Sequence, residues 1–518
     1  MFLKPTNVPL TVKDFDTARC GICSGCGCSC GYIAYLKEDK LVDLYGHPHD
    51  PNGIGSLCTK GITLIQELVS NPLRLKTPFI KDGDTYREIS RSEARAKALN
   101  MLRGKVGVFL DRFTDLRDYL TLKREGWEIF SDSLYLPFKS STLKPQEWRE
   151  QKVIVAFECE TVFSEVMATR WLVDAFERSA YIVAVSSRYG TTSAKARKSL
   201  LLKPPLVVRF LRELVLTLEG KEPSIFKEDI ETLSKLLSTV KESLILIGES
   251  LLRSPWRENV LLYLQRMRKK LKVNYSIVGN ITPFETKELK DFLSSFHEFD
   301  SLLLTGNPAL FMDEKSLNKL GSINTTYVGF FPNLTANYSK LLLPAKLFAE
   351  RDFTAFRNGF GLVTESPQVL TPPEGAFSPW ELAKDPQDKN QISLESPSLP
   401  LIEETDTSWQ ENYLEEDGLY LMCDTTLVDE VGHWNVWTHD IEKEQKAYIS
   451  RETAKALGVK DKLTIRGEEL SVEISSNIAK DVIFVPSSFE EMQPFNPGVR
   501  VGRLMNEPYL RIERLRVK

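Results

Sequence analysis

At 518 residues the chain is long enough for three or four domains, each with a core of its own. With 42% hydrophobic and 27% charged residues it has the composition of a globular protein, which excludes disordered, collagen-like and membrane-embedded classes. Lys+Arg 67 against Asp+Glu 71 gives a net charge of -4, so no global basic field exists to hold nucleic acid. No stretch approaches the ~20 consecutive apolar residues of a membrane span. The opening MFLKPTNVPLTVKDFDT carries neither an apolar leader core nor a twin arginine, so a cytoplasmic location is expected.

Residues 1–75 read as a small cysteine-bearing unit, in which YIAYLKED and KLVDLYG alternate with period 2 and predict a hairpin. Two α/β blocks are expected next, over 76–230 and 231–383. In the first, the apolar runs VGVFLD, VIVAFE and YIVAVSS read as buried strands, with a helical pattern between the last two. The second begins near SLILIG and contains SLLLTGNP, YVGFF and KLLLPA. Strands alternating with helices imply parallel sheets. Residues 384–417 are acidic, contain prolines and lack apolar periodicity, which predicts an exposed interdomain linker. From 418 to 518 short strands return, with one helix around ETAKALGV whose Gly458 suits its C-terminus, and a compact β-barrel is expected.

The chain has eight cysteines, six of them before residue 60. Such clustering points to metal binding rather than to disulfides. Cys23-Ser-Gly-Cys26-Gly-Cys-Ser-Cys30, followed by Cys58-Thr-Lys60-Gly61, offers four thiolates from one loop and one distant return, which suits a [4Fe-4S] cubane. A structural zinc site is the alternative, although such sites usually pair two CxxC motifs. Cys20, Cys23, Cys26 and Cys30 also spell the ferredoxin run C-x2-C-x2-C-x3-C, whose fourth cysteine serves a second cluster. No partner run exists, so Cys23, Cys26, Cys30 and Cys58 are read as the ligands, with Cys20 and Cys28 unassigned.

These cysteines, with CTKG, NPLRLKTPF and YREISRSEA after them, resemble the start of the molybdopterin oxidoreductase superfamily of formate dehydrogenases, periplasmic nitrate reductases and dimethyl sulfoxide reductases. The resemblance continues through SLLLTGNPALF, LPAKLFAERDFTAFRNGFGLV and PPEGAFSPWELAK, and through GHWNVWTHD and VIFVPSSF near the C-terminus. It implies an α/β fold with an N-terminal [4Fe-4S] domain, two doubly wound Rossmann-like blocks and a C-terminal double-psi β-barrel. It also implies Lys60 between the cluster and a pterin, and molybdopterin guanine dinucleotide carrying Mo or W. Arg188, Gly306 and Asn307 stand at the positions that would contact the dinucleotide.

The sequence also departs from that pattern. Where the family supplies its metal ligand, GWEIFSDSLYLPFKSSTLKPQEWREQ has no cysteine and no histidine, and only Ser131, Asp132 and Ser133 are candidates. The glycine-containing turn expected after VIVAF is Glu158-Cys159-Glu160-Thr161, whose carboxylates would repel a diphosphate. Five histidines and the isolated Cys159 and Cys423 read as structural residues. Three functions follow as expectations. The first is an iron–sulfur electron-transfer subunit with a degenerate pterin site, like the large peripheral-arm subunit of respiratory complex I. The second is a catalytic Mo or W bis-pterin enzyme, and the third a non-redox scaffold. In a redox role the partners would be subunits carrying iron–sulfur clusters or flavin, and the assembly could lie peripheral to a membrane.

Overall fold

The computed structural model describes residues 14–282, 284–357, 363–386, 388, 390, 392 and 399–515. Part of the LPAKLFAERDFTAFRNGFGLV segment, part of the expected linker and the opening residues therefore lie outside the described residues.

The cysteine unit is a three-stranded antiparallel sheet of Thr17–Ile22, Gly31–Lys37 and Lys40–Gly46. The expected hairpin is present, turned by Glu38 and Asp39, both with positive φ, at 50° and 58°. That pair of left-handed residues matches the twist of the flanking strands. The loop 23–30 joins the first two strands, so the chain leaves and re-enters the sheet around four of the clustered cysteines.

Behind it stand two sheets. Five parallel strands run in the order Lys198–Leu201, Tyr181–Ser186, Val153–Phe157, Ser243–Gly248, Asn274–Val278. Their continuous apolar character follows from burial on both faces. One face packs against the helices Pro204–Leu218, Lys227–Thr239 and Arg257–Leu271. The other packs Ile154, Ala156, Leu244 and Leu246 against Trp148, Trp171, Cys28 and Cys30. The second sheet has eight strands. Lys287–Glu288, Glu128–Ser131, Val106–Leu110, Ser301–Thr305, Asn324–Gly329 and Leu341–Pro344 are parallel, and Phe79–Asp82 and Thr85–Glu88 close one edge antiparallel.

This arrangement cuts across the division at 230/231. The chain leaves the eight-stranded sheet after Ser131, builds the whole five-stranded sheet, and returns at Lys287. Local periodicity identifies a strand but not its partner, which here lies almost two hundred residues away.

In each sheet the strand order reverses about one central pair, Val153–Phe157 with Ser243–Gly248, and Val106–Leu110 with Ser301–Thr305. The crevices at the carboxyl ends of such pairs are the places where open α/β sheets receive ligands. Here those ends lead into Glu158, Glu249, Asp111 and Gly306.

The segment read as a linker behaves differently from expectation in its described part, 399–417. Ile402 is fully buried, Gln265 donates to its carbonyl, Arg268 and Arg209 pair with Glu403 and Glu416, and Asn259 bonds Asn412. The acidic residues that suggested solvated coil are matched by cations on the helices beneath.

The C-terminal unit is a six-stranded mixed sheet in the order Lys462–Ile465, Glu468–Ile474, Lys446–Ile449, Val482–Pro486, Leu419–Asp424, Ile512–Leu515, forming a half-barrel. The helix Arg451–Leu457 ends at Gly458, whose φ of +66° is the left-handed C-terminal turn expected of it. Among the described residues no helix is long and apolar enough to cross a membrane.

Candidate functional site

The cysteine loop is held closed by its own backbone, with Cys23 N–H donating to the Cys30 carbonyl at 2.8 Å. Cys58 stands at the start of the helix Thr59–Ile62 and faces back to the loop. A Cβ on Gly61 would come within 2.8 Å of Leu57 and 3.2 Å of the Cys23 sulfur, so the return segment approaches the loop as only glycine allows. Burial pushes the thiols of Cys23, Cys30 and Cys58 up, Cys58 to about 11. Hydrogen bonding from Cys28 brings Cys26 down to about 6. A knot of buried and half-buried thiols with no disulfide among them has the donor chemistry of a soft-metal site. Lys60 is buried against this knot and donates through Nζ to the Phe163 carbonyl at 3.3 Å. Cys20 is exposed on the first strand, whereas Cys28 is buried in the loop.

A cavity of about 180 Å³ adjoins the loop, with Ser24, Gly25, Cys26 and Gly27 in its wall. Its lining includes Cys26, Lys60 and Glu165 of the cysteine region, together with Asp111, Asp132 and Arg253. Ser131, Asp132 and Ser133 all reach it, as expected of candidates at the end of a strand. The two serines are already engaged, Ser131 Oγ with the Leu110 carbonyl and Ser133 Oγ with Asn280. Asp132 lines the cavity with its Oδ1 3.4 Å from Ser133 Oγ, and burial raises its carboxyl to about 6. Asp111, raised by burial to about 7, and Glu165 were not singled out in the sequence. Asp111 ends the run VGVFLD, a strand-end position that could have flagged it. Cys423, read as an inert buried residue, also lines this cavity.

The dinucleotide-type positions carry carboxylates of the protein itself. Glu158, at a positive φ of 43°, accepts from the Ser187 amide at 2.8 Å, the Ser187 hydroxyl and Ser186 Oγ. Glu160 accepts from the amides of Thr192 and Ser193 at 2.9 and 3.2 Å, and from the Ser193 hydroxyl. Those amides open the helix Thr191–Lys195, and Gly190 leaves the room, since a Cβ there would lie 2.5 Å from Glu160 Oε2. Arg188 is bound by Asp424 at 2.6 Å and lies between the rings of Phe163 and Phe484. Asp424 also takes Arg511 and Ser250, and although burial raises it, Arg511 and Arg188 hold it below the usual carboxylate range.

In the other crevice Gly306 adopts φ +68°, facing Asp111. Asn307 donates to Glu490 at 2.7 Å and accepts from Thr335. Glu490 accepts in turn from the Leu334 amide, at the start of the helix Leu334–Asn337. No sequence pattern marked Glu490 or Asp424, because each meets its partners across more than eighty residues. Of the five histidines, His433 is fully buried against Ser488 and Phe489, which agrees with a structural role.

Residues 19–70 match the family model described as the molybdopterin oxidoreductase Fe4S4 domain. Over 92 residues the chain is 34% identical to formate dehydrogenase 2 subunit alpha (cytochrome c-553) of Nitratidesulfovibrio vulgaris. That match spans 16% of this chain and 9% of the relative. The fold is similar to that of acetylene hydratase from Pelobacter acetylenicus, with a TM-score of 0.63 and 13% identity over 95% of this chain and 96% of that one. Residues 19–70, which hold the cysteine loop and its return segment, are thus an Fe4S4 domain of the molybdopterin oxidoreductase type.

Proposed function

We propose that the chain is an iron–sulfur electron-transfer subunit of a multi-subunit oxidoreductase, in which the pterin dinucleotide sites are filled by carboxylates of the protein. In this reading the two sheets are doubly wound blocks and the half-barrel is a double-psi barrel cap. Cys23, Cys26, Cys30 and Cys58 would hold one [4Fe-4S] cluster, which supplies one-electron transfer. Lys60 places a buried cation against the knot, offsetting the charge of the thiolates.

The observation that carries the reading is the occupation of the anion donors at both sheet crevices. Backbone amides at strand ends and helix starts are the usual seats of phosphate. Here Glu158, Glu160 and Glu490 accept from them, and Arg188 is taken by Asp424. A diphosphate would have to displace buried, hydrogen-bonded carboxylates of its own charge. The cavity of about 180 Å³ is also smaller than the roughly 300–1,000 Å³ usual for sites that enclose a drug-sized ligand. The residues present therefore do not fit two pterin dinucleotides, and no chemical step is assigned to such a group.

One observation favours the second reading, a catalytic Mo or W enzyme: the cavity joins the cysteine knot to Asp132 at the end of a central strand. Elemental analysis of anaerobically purified protein separates the two. About four irons per chain without stoichiometric Mo, W or released pterin supports electron transfer. Stoichiometric Mo or W with two pterins per chain overturns it. Partners carrying clusters or flavin, and a cytoplasmic place peripheral to a membrane, belong to the same proposal.

A further inference from the structure

We propose that Cys28 and Glu165 are reserve ligands for the iron assigned to Cys26, so that this corner of the cluster can exchange its ligand without releasing iron. The inference rests on the cluster reading above. The sulfurs of Cys26 and Cys28 and a carboxylate oxygen of Glu165 all lie within 4.8 Å of one another. That is close to the spread available to ligands that share one metal ion at roughly 2.0–2.3 Å.

Cys28 and Glu165 are 1% and 2% exposed. Glu165 Oε1 accepts from Gly27, the residue between the two cysteines, at 3.1 Å, which fixes the carboxylate to the loop. Apart from Gly27, the groups that meet the buried carboxyl are the Cys26 and Cys28 thiols, and no ion pair to Glu165 is present among the described residues. A carboxylate buried beside thiols without a cation is costly, and a metal ion is the partner that satisfies both donor types. Lys60 donates to the Phe163 carbonyl and forms no ion pair with Glu165.

In the exchange the bond from iron to the Cys26 sulfur breaks as one to the Cys28 sulfur forms. The thiol proton of Cys28 passes to the released Cys26 sulfur, and no electron changes hands. With Glu165 as the entering ligand, the carboxylate replaces the thiolate and the released sulfur takes a proton from solvent.

The test compares iron content and the EPR spectrum of the dithionite-reduced full chain, purified anaerobically. Cys26→Ala should keep most of the wild-type iron with shifted g values, whereas the triple variant Cys26→Ala, Cys28→Ala, Glu165→Gln should fall to the level of Cys58→Ala. The proposal is overturned if Cys26→Ala alone falls that far, or if the triple variant keeps its iron. Should Cys26→Ala not fold, Cys28→Ala combined with Glu165→Gln in the presence of Cys26 decides. Several-fold faster iron loss to a chelator supports the reserve role, and an unchanged rate overturns it. Wild-type protein without about four irons would instead sink the cluster reading itself.

Discussion

The cysteine knot and the sheet crevices are two binding regions treated in opposite ways. In the knot no disulfide joins the cysteines, and Cys26, Cys28 and Glu165 bring their ligand atoms within 4.8 Å of one another. In the crevices the donors are equally well placed, but Glu158, Glu160 and Glu490 already satisfy them. The geometry of an anion site is therefore insufficient evidence of an anion ligand. A side chain supplied from a neighbouring turn meets the same amides and avoids the loss of freedom that a separate ligand would bring.

The sharpest way to break the comparison is to remove a donor from the knot. Cys58→Ala should take iron from about four per chain to almost none, read by elemental analysis. Iron retained in full would mean that Cys58 is not a ligand. In the crevices the effect should appear as lost stability instead. Asp424→Ala leaves Arg188 and Arg511 facing a buried gap, which should cost ~3–5 kcal/mol in a denaturant midpoint. Glu160→Ala uncovers the Thr192 and Ser193 amides at a smaller cost of ~1–3 kcal/mol. A neutral outcome for Glu160→Ala, rescued further by added phosphate, would show that the crevice still accepts an external anion.

The smallest effect expected is one of pH. Burial raises Glu158, Glu490 and Asp111 from the ordinary carboxylate range to about 7 in the folded chain. Between the ordinary value and 7 the folded state then binds more protons than the unfolded state, so stability falls as pH rises through that window. Iron-free protein should melt at a lower temperature at pH 8 than at pH 6. Glu158→Gln should flatten that slope, and an unchanged slope would remove Glu158 from the explanation. His433, which burial lowers to about 4, works in the opposite sense between about 4 and 6.5.

Much of this was legible in the amino-acid order, and the exceptions share a cause. Cys23, Cys26 and Cys30 are close in sequence, and the hairpin, the apolar strands and the Gly458 terminus are local features that short-range periodicity reports. Glu158 and Glu160 were noticed as hostile to a diphosphate, but their partners Ser187, Thr192 and Ser193 belong to a different strand end and helix. The pairing of Arg188 with Asp424 and the packing of 399–417 on the helices are set by tertiary contact. Composition alone showed that segment as acidic and polar, which solvated coil and a charge-matched strap share.

The insertion of the five-stranded sheet between Ser131 and Lys287 has a consequence for synthesis. All five of its strands have left the ribosome by Val278, whereas the central pairing of the eight-stranded sheet must wait for Ser301–Thr305. Domains tend to fold as units while the chain is still growing, and pairings distant in sequence form late. The surface carrying Ile154, Ala156, Leu244 and Leu246, against which Cys28 and Cys30 pack, can be complete while the other sheet is still an open edge. The thiols of Cys28 and Cys30 thus gain their apolar floor early, before the C-terminal half-barrel exists to cover the cavity beside them.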